Sequence, residues 1–331
     1  MHVLVTGGAG FIGSHLAEAL MARGHVVTVL DDLSGGFREN VPSGAGFVHG
    51  SIADDSLVDE LFRTGRFDYV YHLAAYAAEG LSPFIKRFNY TNNVIGSVTL
   101  LNAAINHGIR GFVFASSIAV YGRSPQLPMT EETPPRPEDS YGIAKLAVEQ
   151  ELRASKALFG LDYLIFRPHN VYGPRQNIAD RYRNVVGIFM NQILQGKPMT
   201  IFGDGTQTRA FSYIDDVSPV MAEAVGNRRA WNQVFNIGAD QPTTLNDLAE
   251  RVAGAMGVAP RVVHLAPRHE VAHAHSDHKR LAAAFGARQT TPLDEGLRRM
   301  AAWVSQHGAR EAPPFARIEV TKNLPAAWRD A

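Results

Sequence analysis

An α/β fold built on a doubly wound parallel sheet, followed by a smaller mixed α/β lobe, is predicted by three features of the 331-residue sequence. Short β-type runs alternate with helical stretches through the first half. A glycine-rich turn follows the first run. After His169 the pattern loosens into short elements separated by Pro, Gly and polar turns. Residues 2–5, 26–30, 47–49, 69–72 and 111–115 are rich in Val, Phe, Tyr or Leu and bounded by Gly or Asp, which predicts strands. Residues 11–23, 56–63, 84–107 and 141–159 carry helical patterning, and 162–166 reads as a sixth strand. Strands alternating with helices require a parallel sheet covered on both faces. This spacing puts the large domain at residues 1–169 and the smaller lobe mainly at 170–331, with about 206–228 returning to the large domain. The second half holds two helices, 245–256 and 293–306, and a turn at Gly203-Asp204-Gly205. The tail from Gly308, rich in Pro and Arg, reads as irregular chain that packs or frays.

Composition narrows the function. Lys+Arg and Asp+Glu both number 32, so no basic excess marks a nucleic-acid partner. The absence of Cys excludes disulfides, thiol nucleophiles and zinc-thiolate sites. Met1-His2 leads directly into the first strand, with no charged segment, apolar segment and cleavage site ahead of it. No apolar run approaches about 18 residues. The expectation is a soluble cytoplasmic protein with no membrane contact.

Gly7-Gly8-Ala9-Gly10-Phe11-Ile12-Gly13 follows a strand and opens a helix. Gly10 allows the backbone to approach a pyrophosphate, and Gly13 lets helix and strand pack closely. The helix start offers free N–H groups and partial positive charge to phosphates. Asp31, 18 positions after Gly13, ends the next strand, where its carboxylate can accept from ribose hydroxyls. That context makes the large domain Rossmann-type and the cofactor a dinucleotide. A carboxylate there repels a 2′-phosphate, which favours NAD over NADP, although Arg38 stands nearby.

Tyr141 and Lys145 are four apart at the start of a helix, on one face. A phenol with a pKa of about 10 is a poor base near neutrality. An ammonium on the same face is expected to lower it. Ser116 and Ser117 end the fifth strand, where parallel-sheet enzymes build their sites.

These motifs, with His72-Leu73-Ala74-Ala75, Ser116-Ser117-Ile118-Ala119-Val120-Tyr121-Gly122, Arg167-Pro168-His169-Asn170-Val171-Tyr172-Gly173-Pro174 and Gly203-Asp204-Gly205-Thr206-Gln207-Thr208-Arg209, carry a resemblance. Over about residues 2–305 the chain resembles the extended short-chain dehydrogenase/reductase family, in its UDP-glucose 4-epimerase-like nucleotide-sugar branch. The resemblance implies Ser117, Tyr141 and Lys145 as the catalytic set. It implies NAD held by Gly7, Gly10, Phe11, Ile12, Gly13, Asp31, Asp32, Ser34, Gly35, Ser51, Ile52, Leu73, Ala74, Ala75, Asn93, Ser116 and Pro168, with Tyr141 and Lys145. It further implies a nucleotide sugar, a UDP-sugar above all, bound by Ala77, Glu79, Ser117, Tyr141, His169, Asn170, Arg209, Arg268 and Glu270. A homodimer is implied too, with helices 84–107 and 141–159 paired across a two-fold axis. Ile95, Val98, Leu101, Leu146, Val148 and Leu152 could serve that seam or the core.

Within the branch, Ile118 and Ala119 offer no proton where dehydratases and decarboxylases carry Asp or Glu. No Cys is present for 3,5-epimerisation. Reversible hydride transfer at C4 remains. A ketoreductase, or an inactive NAD-sensing protein, stays open as an alternative. Ser51 replaces an Asp common at the adenine, Ala77 a Lys of galactose-type enzymes, and Ala210 an Asp after Arg209. Small Ala274, four after Glu270, could admit an N-acetyl group. Glu79 reads either as a contact to a sugar hydroxyl or as a solvated loop carboxylate. Arg268 reads as a phosphate grip or a surface ion pair. His264, His269, His273, His275 and His278 cluster without thiol or carboxylate ligand spacing, so no metal is expected.

Overall fold

The computed structural model describes residues 1–311 and 315–329. Parts of the tail, 312–314 and 330–331, lie outside the described residues. The large domain runs β1 (His2–Thr6), α1 (Phe11–Met21), β2 (Val26–Asp31), β3 (Gly46–His49), α2 (Asp55–Gly65) and β4 (Tyr69–His72). Then come α3 (Lys86–Tyr90), α4 (Gly96–Asn106), β5 (Gly111–Ala115), α5 (Ser140–Phe159) and β6 (Tyr163–Pro168). The small lobe contains β7 (Val171–Tyr172), α6 (Val185–Leu194), β8 (Met199–Phe202), β9 (Thr208–Ala210) and β10 (Ser212–Tyr213). After these come α7 (Ile214–Ala222), β11 (Gln233–Ile237), β12 (Pro242–Thr244), α8 (Leu245–Ala255) and β13 (Val262–Leu265). The chain closes with β14 (His273–Ala274), α9 (Lys279–Phe285) and α10 (Leu293–His307).

Seven strands form one parallel sheet in the order β11-β6-β5-β4-β1-β2-β3. Alternation along each strand divides the core. Val3 and Val5 join Val29, Tyr71, Val113 and Phe166 under α1, while Leu4 joins Val70, Phe112 and Ile165 under the opposite helices. The first of these clusters continues into the small lobe through Val186, Leu248 and Leu297, so one apolar mass holds both parts together.

Two elements depart from the sequence reading. The return to the large domain extends past residue 228, because β11 pairs in register with β6 and becomes the sheet's edge strand. α7 packs on the large domain: Tyr71 donates to the carbonyl of Met221 (3.0 Å) and Arg23 to that of Pro219 (3.1 Å). The helix expected at 84–107 is divided. A single π-helical turn, Thr91–Ile95, joins α3 to α4. Among the described residues no helix is long and apolar enough to cross a membrane.

The sheet order reverses between β1 and β4, and loops leaving two neighbouring strands in opposite directions open a crevice at their C-terminal ends. Gly7 takes φ +73°, and a Cβ on it would stand 2.6 Å from the amide nitrogen of Ala74. The two loops thus meet with no room for a side chain.

Candidate active site

A cleft of about 1510 Å³ runs from this crevice into the small lobe. Gly7, Gly10, Phe11, Ile12 and Gly13 line one end. A Cβ at Gly13 would stand 2.1 Å from the carbonyl oxygen of Gly7, so only glycine lets α1 sit this close to β1. Gly10, the N-cap, offers no side chain to the first-turn N–H groups, which leaves an anion cradle facing the cleft. Asp31 lies beside it. Its Oδ2 accepts from the amide of Ala9 (2.9 Å) and its Oδ1 from that of Leu33 (2.8 Å), fixing the glycine loop to the end of β2. Burial raises its pKa, while those two amides pull the other way. Asp32, Ser34, Gly35, Ile52, Leu73, Ala74, Ala75, Ser116 and Pro168 also face the cleft. Arg38 does not; its guanidinium covers the ring of Phe47 at 4.3 Å. A dinucleotide with a free ribose 2′-hydroxyl therefore fits the residues present.

Three expected contacts fall behind the wall. Ser51 accepts from the amide of Ala53 (3.2 Å) and closes a turn. Asn93 is buried, accepting from the amide of Tyr76 (2.9 Å) and donating to its carbonyl (3.1 Å). It holds the loop in place, and its neighbour Asn92 faces the cleft instead. His169 is buried against the carbonyl of Ala210 (3.1 Å) and His278 (3.1 Å). Burial, helped by His278, drives its pKa down to about 3, so it sits as a neutral structural ring.

Tyr141 enters the cleft from the first turn of α5. Asp139 caps that turn by accepting from the amide of Gly142 (2.9 Å), and the Tyr141 amide donates to Ser82 Oγ (3.0 Å). Ser117 caps the short helix after β5 by accepting from Ala119 (3.1 Å), and its hydroxyl stands near enough to the Tyr141 phenol to act on its pKa. Lys145, one turn on, donates to the carbonyl of Ala115 (2.7 Å), with Nζ 5.7 Å from the Tyr141 ring centre. The three expected catalytic side chains meet.

Their electrostatics correct one expectation. Burial raises the Tyr141 pKa above its ordinary value; Ser117 opposes this, and the charges of Glu79 and Asp139 reinforce it. Burial also draws Lys145 down to about 7, against the pull of Glu149. Within the protein itself, then, the phenol stays protonated, and Lys145 alone does not make it a base.

Glu149 and Arg167 support the site and were not anticipated. Glu149 Oε1 accepts from Ser116 Oγ (2.6 Å) and Arg167 Nε (2.8 Å), all buried. The signal was available: Glu149 follows Lys145 by one helical turn on the same face. Arg183 was also missed. It pairs with Asp180 (2.7 Å), lies over the ring of Tyr76 (5.0 Å) and lines the cleft from a loop without motif.

At the far end Asn170, Arg209, Arg268 and Glu270 line the cleft. Arg268 pairs with Glu270 at 3.0 Å and Arg209 approaches it at 3.7 Å. Arg209 also donates to the carbonyl of Val271 (2.6 Å). Ala77 and Glu79 stand between the two ends. Ala274 packs with Ile118, Val120, Tyr121 and Met129, so its small size does not widen the cleft. Among the described residues no metal-binding group of His, Cys, Asp and Glu comes together. His278 instead pairs with Asp240 at 2.6 Å.

Water reaches Glu79 within the cleft, but the surrounding walls penalise its charge. Burial, then Asp139, pushes its carboxyl up to about 7, while Arg209 and Arg268 pull it back. Its folded value exceeds the ordinary 4.5, so this group favours the folded chain below about 4.5 and loses that contribution as pH rises through about 7. Glu79→Gln is therefore expected to melt above the wild type at about pH 8, with the gap closing by about pH 4. Thermal melts at both pH values check this, and equal melting temperatures at about pH 8 would contradict it.

The profile of the NAD dependent epimerase/dehydratase family matches residues 3–238. The chain is 36% identical to a UDP-glucose 4-epimerase of Mycolicibacterium smegmatis, over 90% of this chain and 96% of that protein. Its fold is similar to the crystal structure of UDP-glucose 4-epimerase from Thermotoga maritima with UDP-glucose (TM-score 0.89, 36% identity, 93% of this chain and 99% of that one). The Thermus thermophilus UDP-glucose 4-epimerase in complex with NAD is also similar (TM-score 0.86, 36% identity, 92% and 99% coverage). By its profile match, its sheet order and the Ser117–Tyr141–Lys145 cluster beside the glycine loop, the chain belongs to the NAD dependent epimerase/dehydratase family.

Proposed function

We propose that this protein inverts C4 of a nucleotide sugar, a UDP-hexose, through a transient 4-keto sugar. The observation that carries the reading is one phenol, near Ser117 and with its ring centre 5.7 Å from Lys145 Nζ, in the same cleft as the glycine loop. The glycine loop and the start of α1 would hold the pyrophosphate of NAD, Asp31 its adenosine ribose and Lys145 its nicotinamide ribose. Bound NAD supplies a hydride acceptor and a positively charged ring. Ser117 and Tyr141 would hold the C4 hydroxyl, and Tyr141, as the phenolate that the neighbouring positive charge favours, would take its proton as C4 gives up its hydride and the C–O bond becomes a carbonyl. The sugar then turns about its diphosphate linkage. Tyr141 would then give its proton back to the oxygen as C4 is reduced from its opposite face. Arg209, Arg268 and Asn170 keep the diphosphate fixed through that turn. Glu79 accepts from a sugar hydroxyl. Arg38, held on Phe47 away from the cleft, does not offer its charge to the 2′-phosphate that an NADPH-dependent ketoreductase requires.

The test is incubation of the purified chain with UDP-, GDP- and dTDP-hexoses, with C4 inversion followed by proton NMR. Interconversion of UDP-glucose and UDP-galactose without added reductant is expected. No inversion of any of these sugars would sink the reading. A cytoplasmic setting, where NAD and nucleotide sugars are made, goes with it.

The same reading includes a pair of chains. Ile95 on the π turn is 55% exposed and Ile143 on α5 is 44% exposed, with Val98 and Leu146 half-buried beside them. Leu101, Val148 and Leu152 are buried in the chain's own core and take no part in a seam. Sedimentation equilibrium of the whole chain decides the point, a monomer being the contrary result.

A further inference from the structure

The chain beyond α10 does not trail away from the cleft. Arg310 exchanges backbone hydrogen bonds with the side chain of Asn191 on α6 (3.0 and 2.9 Å), and its guanidinium covers Phe37 at 4.4 Å. Further on, Glu319 accepts from the amides of Arg87 (2.7 Å) and Phe88 (2.9 Å) at the start of α3. The amides of Glu319 and Val320 donate to the carbonyl of Phe84. The segment ends in a short helical turn, Ala326–Trp328. It is pinned in this way to the cofactor-side loop, to α6 and to the start of α3.

Trp328 is 5% exposed and stands on the cleft wall. Its ring lies 5.3 Å from Tyr182 and 5.8 Å from Phe202, centre to centre. The guanidinium of Arg268 lies 4.7 Å from the centre of Phe202 and 5.6 Å from that of Trp328. Behind them a Cβ on Gly80 would stand 3.2 Å from Arg268 Nη1 and 3.4 Å from the Trp328 ring. Arg268 is thus packed among two aromatic rings and a glycine, with Glu270 at 3.0 Å. Its Nε and Nη2 are taken by Glu270 Oε2 (3.3 and 3.0 Å), and a guanidinium held by its face keeps its remaining N–H groups available to oxyanions, its weak hydration making the packing favourable.

We propose that Trp328 is a positioning residue of the substrate site, holding Arg268 so that the N–H groups not taken by Glu270 meet the diphosphate of the nucleotide sugar. This rests on the nucleotide-sugar reading above. It makes the C-terminal segment part of the binding wall.

The experiment is calorimetric titration of the full chain, carrying its NAD, with UDP. Trp328→Ala is expected to weaken UDP binding about tenfold, the loss of one partly desolvated cation–π contact. Trp328→Phe should restore most of that affinity. In an Arg268→Ala background, Trp328→Ala should add almost nothing, because the residue acts through the arginine. Retained NAD content reports that each variant is folded. Should Trp328→Ala prove insoluble, Trp328→Leu keeps the apolar volume without the ring face and is read by the same criteria. Unchanged UDP affinity in Trp328→Ala, or an equal loss in the Arg268→Ala background, would overturn the proposal. A wild type that binds none of UDP, GDP and dTDP would instead remove the nucleotide-sugar reading, and this proposal with it.

Discussion

Tyr141→Phe is expected to lower kcat for C4 inversion by about 10³-fold while leaving NAD and UDP bound as in the wild type. The substitution removes one oxygen from a buried ring and leaves the ring's packing in place. Its structural cost is small, because the ring keeps its place and only the phenol oxygen's interaction with Ser117 is lost. Its chemical cost is larger, because a positioned acid/base contributes about 10²–10⁴-fold, and here the same group acts in both directions. Burial keeps the phenol protonated within the protein itself, which suits the return step and makes the forward step depend on nearby positive charge. Ser117 can still orient the hydroxyl in the variant but has no proton acceptor of its own. The measurement is single-turnover NMR with UDP-glucose, beside the absorbance of released NAD and calorimetry with UDP. Turnover within about tenfold of the wild type would remove Tyr141 from the reaction. Loss of NAD along with turnover would show that the phenol's part is structural.

The fold was legible because short β-type runs and helical stretches alternate cleanly over the first half. β11 escaped that reading for a local reason. Gln233–Ile237 is short, and Asn236 interrupts its apolar run. The structure shows why an amide is tolerated there: Asn236 accepts from the hydroxyl of Tyr121 (2.7 Å) and donates to the carbonyl of Met129 (3.3 Å). The π turn had no signal either, since neither Pro nor Gly stands in Thr91–Ile95. One extra residue in that turn rotates the neighbouring side chains about the helix axis, so Asn92 faces the cleft and Asn93 the protein. The Ser117–Tyr141–Lys145 cluster was legible because Tyr141 and Lys145 lie one turn apart and Ser117 follows directly on β5, and local geometry alone carries these to the cleft. Trp328 meets Arg268 from 60 residues away through irregular chain, and no periodicity encodes that contact.

Glu149→Ala is expected to destabilise the chain by about 3–5 kcal/mol, more than any change on the cleft wall. Glu149 is 0% exposed and Arg167 is 1% exposed. The carboxylate accepts from Arg167 Nε (2.8 Å), Arg167 Nη2 (2.5 Å) and Ser116 Oγ (2.6 Å). Burial works against the charge of Arg167, yet its pKa is raised, because the bonds and charge of Glu149 outweigh that penalty. Removing the carboxylate leaves a guanidinium in the core with only the face of Tyr121, at 4.7 Å, as compensation. Urea denaturation followed by circular dichroism measures the loss. A shift under about 1 kcal/mol would mean that water or a rearranged Arg167 takes over the carboxylate's place. Glu149→Leu with Arg167→Met removes both charges, and an apolar pair of similar volume should recover most of the stability. It should not recover activity to the same degree. Glu149 also raises the pKa of Lys145 against burial, so without it Lys145 becomes more fully neutral. Ser116, next to Ser117, loses its acceptor as well. A double variant as stable as the wild type but slower in C4 inversion would therefore separate the ion pair's part in folding from its part in keeping Lys145 charged.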